Sequence, residues 1–435
     1  MNYIIIIIFI ALSFYIINKT LIYRTKSIPK LWINIAFSIK LLAAMAMIII
    51  YSRSEKIKSD ADIFRYYEDS EVIFSALQNG EPIAYLKLIT GVNSDDSSLD
   101  KYYIQINNFE HQEENNLTSN RLFIRYIAFL SIFTLGTYGG IVVITSFLAF
   151  TGLWWIFLFF YSKLKKLKWV IFGIVFFTPS IVYWTSGILK ESLLILAISL
   201  IFNCGNYALQ GKHPIKRIFI LILAFTVIFN IKPFLLLILI PPVLAYLWLH
   251  FRPTQRALIP YFMMFFIAFS FVSESGKYMD IGIYDLLLEK QLQFTELALS
   301  EDSGSLVSPI MFQANSLSIA TNSPIAIINT LFRPMFWEAN NIMALFASFE
   351  NLAIIILILL IIIFPRNNVD DPSLVWFTFI FSISFFIIIG LATPVLGALS
   401  RYRVIGLLFF LLGLIQLLDI EKIKNIISIK LITKK

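Results

Sequence analysis

The chain has 435 residues, 58% of them hydrophobic and only 14% charged, with a mean hydropathy of +0.80; this places it among polytopic membrane proteins and excludes an ordinary soluble domain. Cys204 is the only cysteine, so an intramolecular disulfide and a cysteine metal cluster are both excluded, and His111, His213 and His250 are too dispersed for a histidine metal site. The formal charge of +8 resides mainly in short loops between apolar runs, which makes it an orientation signal and gives no support to nucleic-acid binding.

In chain order, the opening "MNYIIIIIFIALSFYIIN" lacks a basic leader and a small-x-small cleavage pattern, so it is expected to be a retained first span over 2–18. Further spans are expected over 31–51, 139–161, 169–186, 191–208, 218–231, 234–250, 257–274, 349–364, 374–392 and 404–418, about eleven crossings in all. The stretch 121–137 begins with Arg121 and Arg125 and ends in glycines, which suits an interfacial or re-entrant helix better than a crossing. The result is an all-α bundle read as one integral membrane domain over 1–435, with two long segments, 52–120 and 275–348, on one face.

Basic residues in "KTLIYRTKSIPK", "KLKKLK", "GKHPIKR", "HFRPTQR" and the C-terminal tail fall on the opposite face. The positive-inside rule makes that face cytoplasmic, with the N-terminus outside and the C-terminus inside. Both long segments are then external. No P-loop or dinucleotide fingerprint interrupts the short cytoplasmic loops, which argues against chemistry driven there by a nucleotide.

Four polar constellations fall on the expected outer face. In "SDADIFRYYEDSEVIF", Ser59 or Asp60 suits an N-cap, and Ile63, Tyr66, Tyr67 and Phe74 share one side of the helix that follows. The same Asp60 and Asp62 could instead bind a divalent cation, Mg or Mn, or take a proton from an attacking hydroxyl. In "LFRPMFWEANNIM", Arg333 could snorkel and Trp337 could sit in an interfacial belt, but Glu338, Asn340 and Asn341 add more polarity than an anchor requires. An arginine fork suits a phosphate bidentately, and Glu338 is a second base candidate.

In "TPVLGALSRYRVIG", Arg401 and Arg403 run against the positive-inside bias, and a diphosphate at the surface would explain them. The last is "PSIVYWTSGILKES", where Pro179 loosens a span, Gly187 permits a turn and Lys190 with Glu191 starts the next helix. Trp184, Lys190, Glu191 and, further on, Lys232 become candidate walls of an outer pocket; Lys190 and Lys232 could also simply snorkel.

The acidic pair in "SDADIFRYY" after an early span resembles the membrane glycosyltransferases of the GT-C superfamily. The runs "PSIVYWTSGILKES", "LFRPMFWEANNIM" and "TPVLGALSRYRV" are similar to segments of Wzy-type and EpsG-type polysaccharide polymerases. The resemblance covers roughly 31–418 in layout and implies a multi-pass protein of the bacterial cytoplasmic membrane. It also implies a polyprenyl-diphosphate-linked sugar donor, other polysaccharide-assembly proteins as partners, and Asp60 or Asp62 as the first-loop acid. The chain departs from that layout in an additional span before the acidic loop and in having no soluble C-terminal domain. A transporter or lipid-linked glycan flippase, and a non-catalytic membrane scaffold, are the readings weighed against it.

Overall fold

The computed structural model describes residues 2–25, 27–93, 95–106, 119–209, 214–254, 256–300 and 305–425. His111, His213, part of the basic loop "GKHPIKR" and the tail beyond 425 lie outside the described residues, as do parts of both long segments. Among the described residues there are helices and turns but no β-strand, and only two isolated bridges, Leu306 with Val395 and Pro365 with Leu418.

The first helices are α1 (Asn2–Lys19), α2 (Lys30–Tyr51), α3 (Glu55–Asp60), α4 (Asp62–Gln78), α5 (Pro82–Thr90), α6 (Asp100–Tyr103), α7 (Ser119–Thr134) and α8 (Tyr138–Lys163). After them come α9 (Lys168–Phe177), α10 (Pro179–Trp184), α11 (Lys190–Leu209), α12 (Pro214–Ile231), α13 (Pro233–Phe251) and α14 (Leu258–Glu274). The chain continues through α15 (Ile283–Ser300), α16 (Ser316–Phe332), α17 (Ile342–Ile363), α18 (Pro372–Ala392), α19 (Leu396–Tyr402) and α20 (Val404–Leu417).

Among the described residues seven helices are long and apolar enough to cross a membrane: Asn2–Lys19, Lys30–Tyr51, Tyr138–Lys163, Pro233–Phe251, Leu258–Lys277, Ile342–Ile363 and Pro372–Ala392. An eighth arises if α19 and α20, bent by 58° at their junction, form one broken span. At 1.5 Å per residue about 20 residues cover a hydrocarbon core, and a helix satisfies its own backbone there. Ile4, Ile7 and Ile8 of α1, Phe262 and Phe266 of α14 and Ile362 of α17 are exposed, as helices facing lipid require. The chain is therefore a helical, multi-pass membrane protein.

The expected spans at 191–208 and 218–231 coincide with α11 and α12. The one at 169–186 is corrected, because the helix stops at Phe177 and restarts at Pro179. The proline disfavours helical backbone at Thr178, which is extended at φ −66° and ψ 120°. The expected cap at Ser59 or Asp60 is corrected too. Ser54 caps a separate helix, α3, accepting from Ile57 N, and α4 begins after Ala61 with Asp62 in its first turn.

The chain forms two compact units. In the first, comprising 1–160, 175–177 and 182–236, the segment after α2 folds onto α7. Tyr66, Phe74, Phe123 and Ile127 are buried together, Tyr66 meets Phe123 edge-on at 4.9 Å, and Tyr85 Oη donates to Ala128 O. With 16 residues α7 is shorter than a span needs. In the second unit, 161–174, 178–181 and 237–435, α18 packs on α16 and α20 through Phe381, Phe385, Phe386 and Phe409.

Gly390 of α18 lies so close to the Ala326 carbonyl and Thr330 Oγ1 of α16 that a methyl group there would overlap both. Gly390→Ala is expected to cost about 1–3 kcal/mol through this overpacking. A lower thermal unfolding midpoint in detergent is the readout; an unchanged midpoint would contradict so close a crossing.

Candidate functional site

The polar residues gather most tightly in the second unit, where α16 ends. The last carbonyls of a helix have no partner within it, and in an apolar interior they must find donors elsewhere. Arg403, at the bend between α19 and α20, supplies them: Nη1 donates to Thr330 O at 3.0 Å, Leu331 O at 3.1 Å and Arg333 O at 3.3 Å. Asn351 of α17 adds Nδ2 donation to Phe332 O at 3.0 Å and Pro334 O at 2.8 Å.

The same two side chains hold each other, since Arg403 Nη2 donates to Asn351 Oδ1 at 2.7 Å. Nη2 also lies 3.5 Å from Glu350 Oε1. Glu350 in turn accepts from Ser180 N at 2.8 Å and Ser180 Oγ at 2.5 Å. It thereby satisfies the start of α10, whose orphan N–H groups and positive dipole end favour a carboxylate. Arg403 and Asn351 are fully buried and Glu350 is buried at 7% exposure. Arg403, expected at the surface beside a diphosphate, is instead fully buried with both Nη groups engaged by backbone carbonyls, Asn351 and Glu350.

The segment fixed in this way carries Arg333. Arg333 Nε donates to Glu338 Oε1 at 2.7 Å, its Nη2 pairs with the same oxygen, and Met335 N donates to Glu338 Oε2 at 2.8 Å. Burial raises the Glu338 carboxyl, but the Arg333 guanidinium and the Met335 N–H outweigh it and leave the group below its ordinary value of 4.5. The folded pKa is the lower one, so the pair's stabilisation is complete above the ordinary value and is lost as pH falls through the depressed value. Arg333 also lines a small cavity of about 10 Å³, shared with Gln291, Ser308, Asn329 and Thr393.

The other expected residues of this unit are more dispersed in role. Asn341 is the N-cap of α17, its Oδ1 accepting from Ala344 N at 2.9 Å. Trp337 is 82% exposed. The Arg401 guanidinium lies 5.5 Å from the centre of the Tyr402 ring.

In the first unit the turn between α10 and α11 is a second polar knot. Gly187 takes φ +79°, a left-handed conformation that favours glycine. Its N–H donates to Ser146 Oγ at 3.1 Å. The Lys40 ammonium, buried in α2, donates to Thr185 O and Thr185 Oγ1, both at 2.7 Å. Ser192 Oγ donates to Thr185 O and Gly187 O.

From this knot Lys190 reaches Ser119 Oγ at 2.8 Å and Asn120 Oδ1 at 2.5 Å, with Tyr66 Oη donating to the same Asn120 oxygen. It also lies 5.5 Å over the Tyr66 ring. Lys190 therefore does not snorkel to headgroups. Glu191 is fully buried and pairs with Lys232 at 3.0 Å. Trp184 packs edge-on against Tyr183. Asp60 is exposed, accepting from Ser59 Oγ at 3.2 Å, and Asp62 is half-buried.

Among the described residues no three His, Cys, Asp or Glu side chains cluster to hold a metal. Asp60 and Asp62 offer two carboxylates without a third such ligand, so no chemical step here is routed through Mg or Mn. Sequence reasoning missed Glu350 and Asn351, and read Ser180 only as part of a loosened span. Glu350 is the one acid inside the apolar run Ile342–Ile363, and an ionisable group in such a run is the signal that finds it.

Arg403→Met is expected to cost about 3–5 kcal/mol, because it strands the buried Glu350 and the α16 carbonyls. Adding Glu350→Gln should recover part of that loss. A double-mutant cycle on the thermal midpoint measures the coupling, and full additivity would contradict the network. No family model matches the chain, and no curated protein or solved structure matches it either.

Proposed function

We propose that the chain is an outward-facing glycosyltransferase or polysaccharide polymerase that uses a polyprenyl-diphosphate-linked sugar. The observation that carries this reading is Arg333. Arg333 lines a small cavity of mixed polar and apolar walls and pairs with a carboxylate, on a segment held by Arg403 and Asn351. A guanidinium fork suits the oxygens of a diphosphate.

In the proposed step a sugar diphosphate competes with Glu338 for Arg333. Loss of its cation raises the Glu338 carboxyl toward its ordinary value, which makes it the better base. The acceptor hydroxyl gives its proton to a carboxylate while its oxygen bonds to the anomeric carbon. The bond from that carbon to the phosphate oxygen breaks, and Arg333 stabilises the departing diphosphate. The GT-C resemblance points instead to Asp60 or Asp62 of the first unit as the acid. Trp337, 82% exposed, offers a ring for a sugar face.

The same reading puts the protein in a bacterial cytoplasmic membrane with about eleven crossings, the N-terminus outside and the C-terminus inside. Its partners there are the bilayer, the lipid-linked glycan and other polysaccharide-assembly proteins. A transporter or flippase is the second reading. It is favoured by the break at Thr178–Pro179 with buried Glu350 at the restart, since broken helices and buried charges mark transport sites.

Arg333→Gln and Glu338→Gln are each expected to lower the yield of long surface polysaccharide about a hundredfold, within the range general-base loss produces. Gel profiles of polysaccharide from cells carrying each variant are the measurement, with Asp60→Asn and Asp62→Asn locating the first-loop acid. Unchanged chain length and amount in all four variants would sink the transferase reading. Movement of lipid-linked glycan across proteoliposomes without any change in its length would establish the transporter instead.

A further inference from the structure

The cavity beside Arg333 is too small for a diphosphate. At about 10 Å³ it has room for about one water, and a diphosphate is several times larger. The Arg333 side chain is 27% exposed, so the guanidinium is not sealed off. Asn329 and Thr393 line the same cavity, and Thr393 is buried. For one diphosphate to meet all three side chains, a wall has to move.

The walls differ in how firmly they are held. Asn329 belongs to α16 and Gly390 to α18, and these helices cross so closely that a methyl group at Gly390 would overlap the Ala326 carbonyl. Phe381, Phe385 and Phe386 of α18 are buried as well, so parting the two helices would break a close-packed core.

The wall made by Val307, Ser308 and Ile310 is of another kind. It comes from the connection between α15 and α16, whose described part, 305–315, has no helix. There Val307 N donates to Pro394 O at 2.8 Å, and Leu396 N, at the start of α19, donates to Ser305 O at 3.0 Å. Further along the chain is anchored again. Gln291 Nε2 donates to Ile310 O at 3.0 Å, and Phe312 is buried with Tyr284, Ile319 and Leu391. Ser308, between these two attachments, is exposed. A non-helical segment with little buried apolar surface opens locally at far less free energy than packed helices do.

We propose that 305–309 is a strap that swings away from 394–396 to admit a diphosphate to Arg333, Asn329 and Thr393, with Phe312 staying as its anchor. This role rests on the reading of Arg333 as the diphosphate ligand. Lids of this kind commit a substrate and control its contact with water.

The pairing geometry supplies the test. The two backbone bonds flank Leu306 and Val395, which makes them a non-hydrogen-bonded antiparallel pair. The Cα atoms of such a pair lie about 4.5 Å apart, within the span of a disulfide. The full chain carrying Leu306→Cys and Val395→Cys, with Cys204→Ala to leave no other thiol, is purified in a neutral detergent and titrated with farnesyl diphosphate, oxidised and reduced. The reduced form should bind at least about tenfold more tightly than the oxidised form, because apparent affinity falls with the competent fraction. Adding Arg333→Gln should weaken binding by the reduced form. The oxidised form should melt no lower than the reduced one, and hydrogen exchange over 305–311 should be at least about tenfold faster in the reduced form.

Equal binding by the two forms, with Arg333→Gln still weak, would overturn the strap and leave the diphosphate reading standing. Equal binding with and without Arg333→Gln would remove the diphosphate reading, and the strap's role with it. Exchange over 305–311 as slow as in α18 would overturn the motion itself, whatever binds.

Discussion

The carbonyl oxygens at the end of α16 lack helical partners in a largely apolar, buried place, and the second unit is organised around giving them donors. Arg403 and Asn351 answer that need from α19–α20 and α17. The arrangement is self-consistent because a guanidinium has only donors and carbonyls are only acceptors. Its leftover charge then requires an acid nearby, and Glu350 supplies it while serving Ser180 at the restart of α10. One unsatisfied helix end thus brings α10, α16, α17 and α20 to a common point.

The first unit solves a related problem differently. The turn at Gly187, between α10 and α11, leaves backbone groups without helical partners in a buried place. Lys40, Ser146 and Ser192 cover them. Lys190 and Glu191, adjacent in sequence, then point to different partners, α7 in one case and Lys232 in the other. In both units the polar side chains mark the places where helices stop, so polarity in this chain is first a matter of satisfying the backbone and only then of chemistry.

The long apolar runs were legible because burial in hydrocarbon demands uninterrupted helix, and composition alone records that demand. The amphipathic face of α4 was equally plain from the spacing of Ile63, Tyr66 and Phe74, all buried in the fold. The break in 169–186 was readable at Pro179 as a loosening, but the partner of its restart, Glu350, lies 170 residues away. Arg403 shows the same limit. Its position after an apolar turn suggested a surface cation, whereas its role is set by carbonyls some 70 residues earlier, which no local pattern encodes. Arg333 and Glu338 were recoverable because their pairing is local, five residues apart.

Lys40 carries a consequence for biosynthesis. Its ammonium lies within α2, near the start of the chain, and both its acceptors belong to Thr185, 145 residues later. Until that turn has been made and has docked, the charge on α2 has no acceptor from its final partner and must be served by water or headgroups. The second hydrophobic helix is therefore held back from its finished position until the middle of the protein has been translated. The order in which the chain emerges thus becomes part of how its first unit closes.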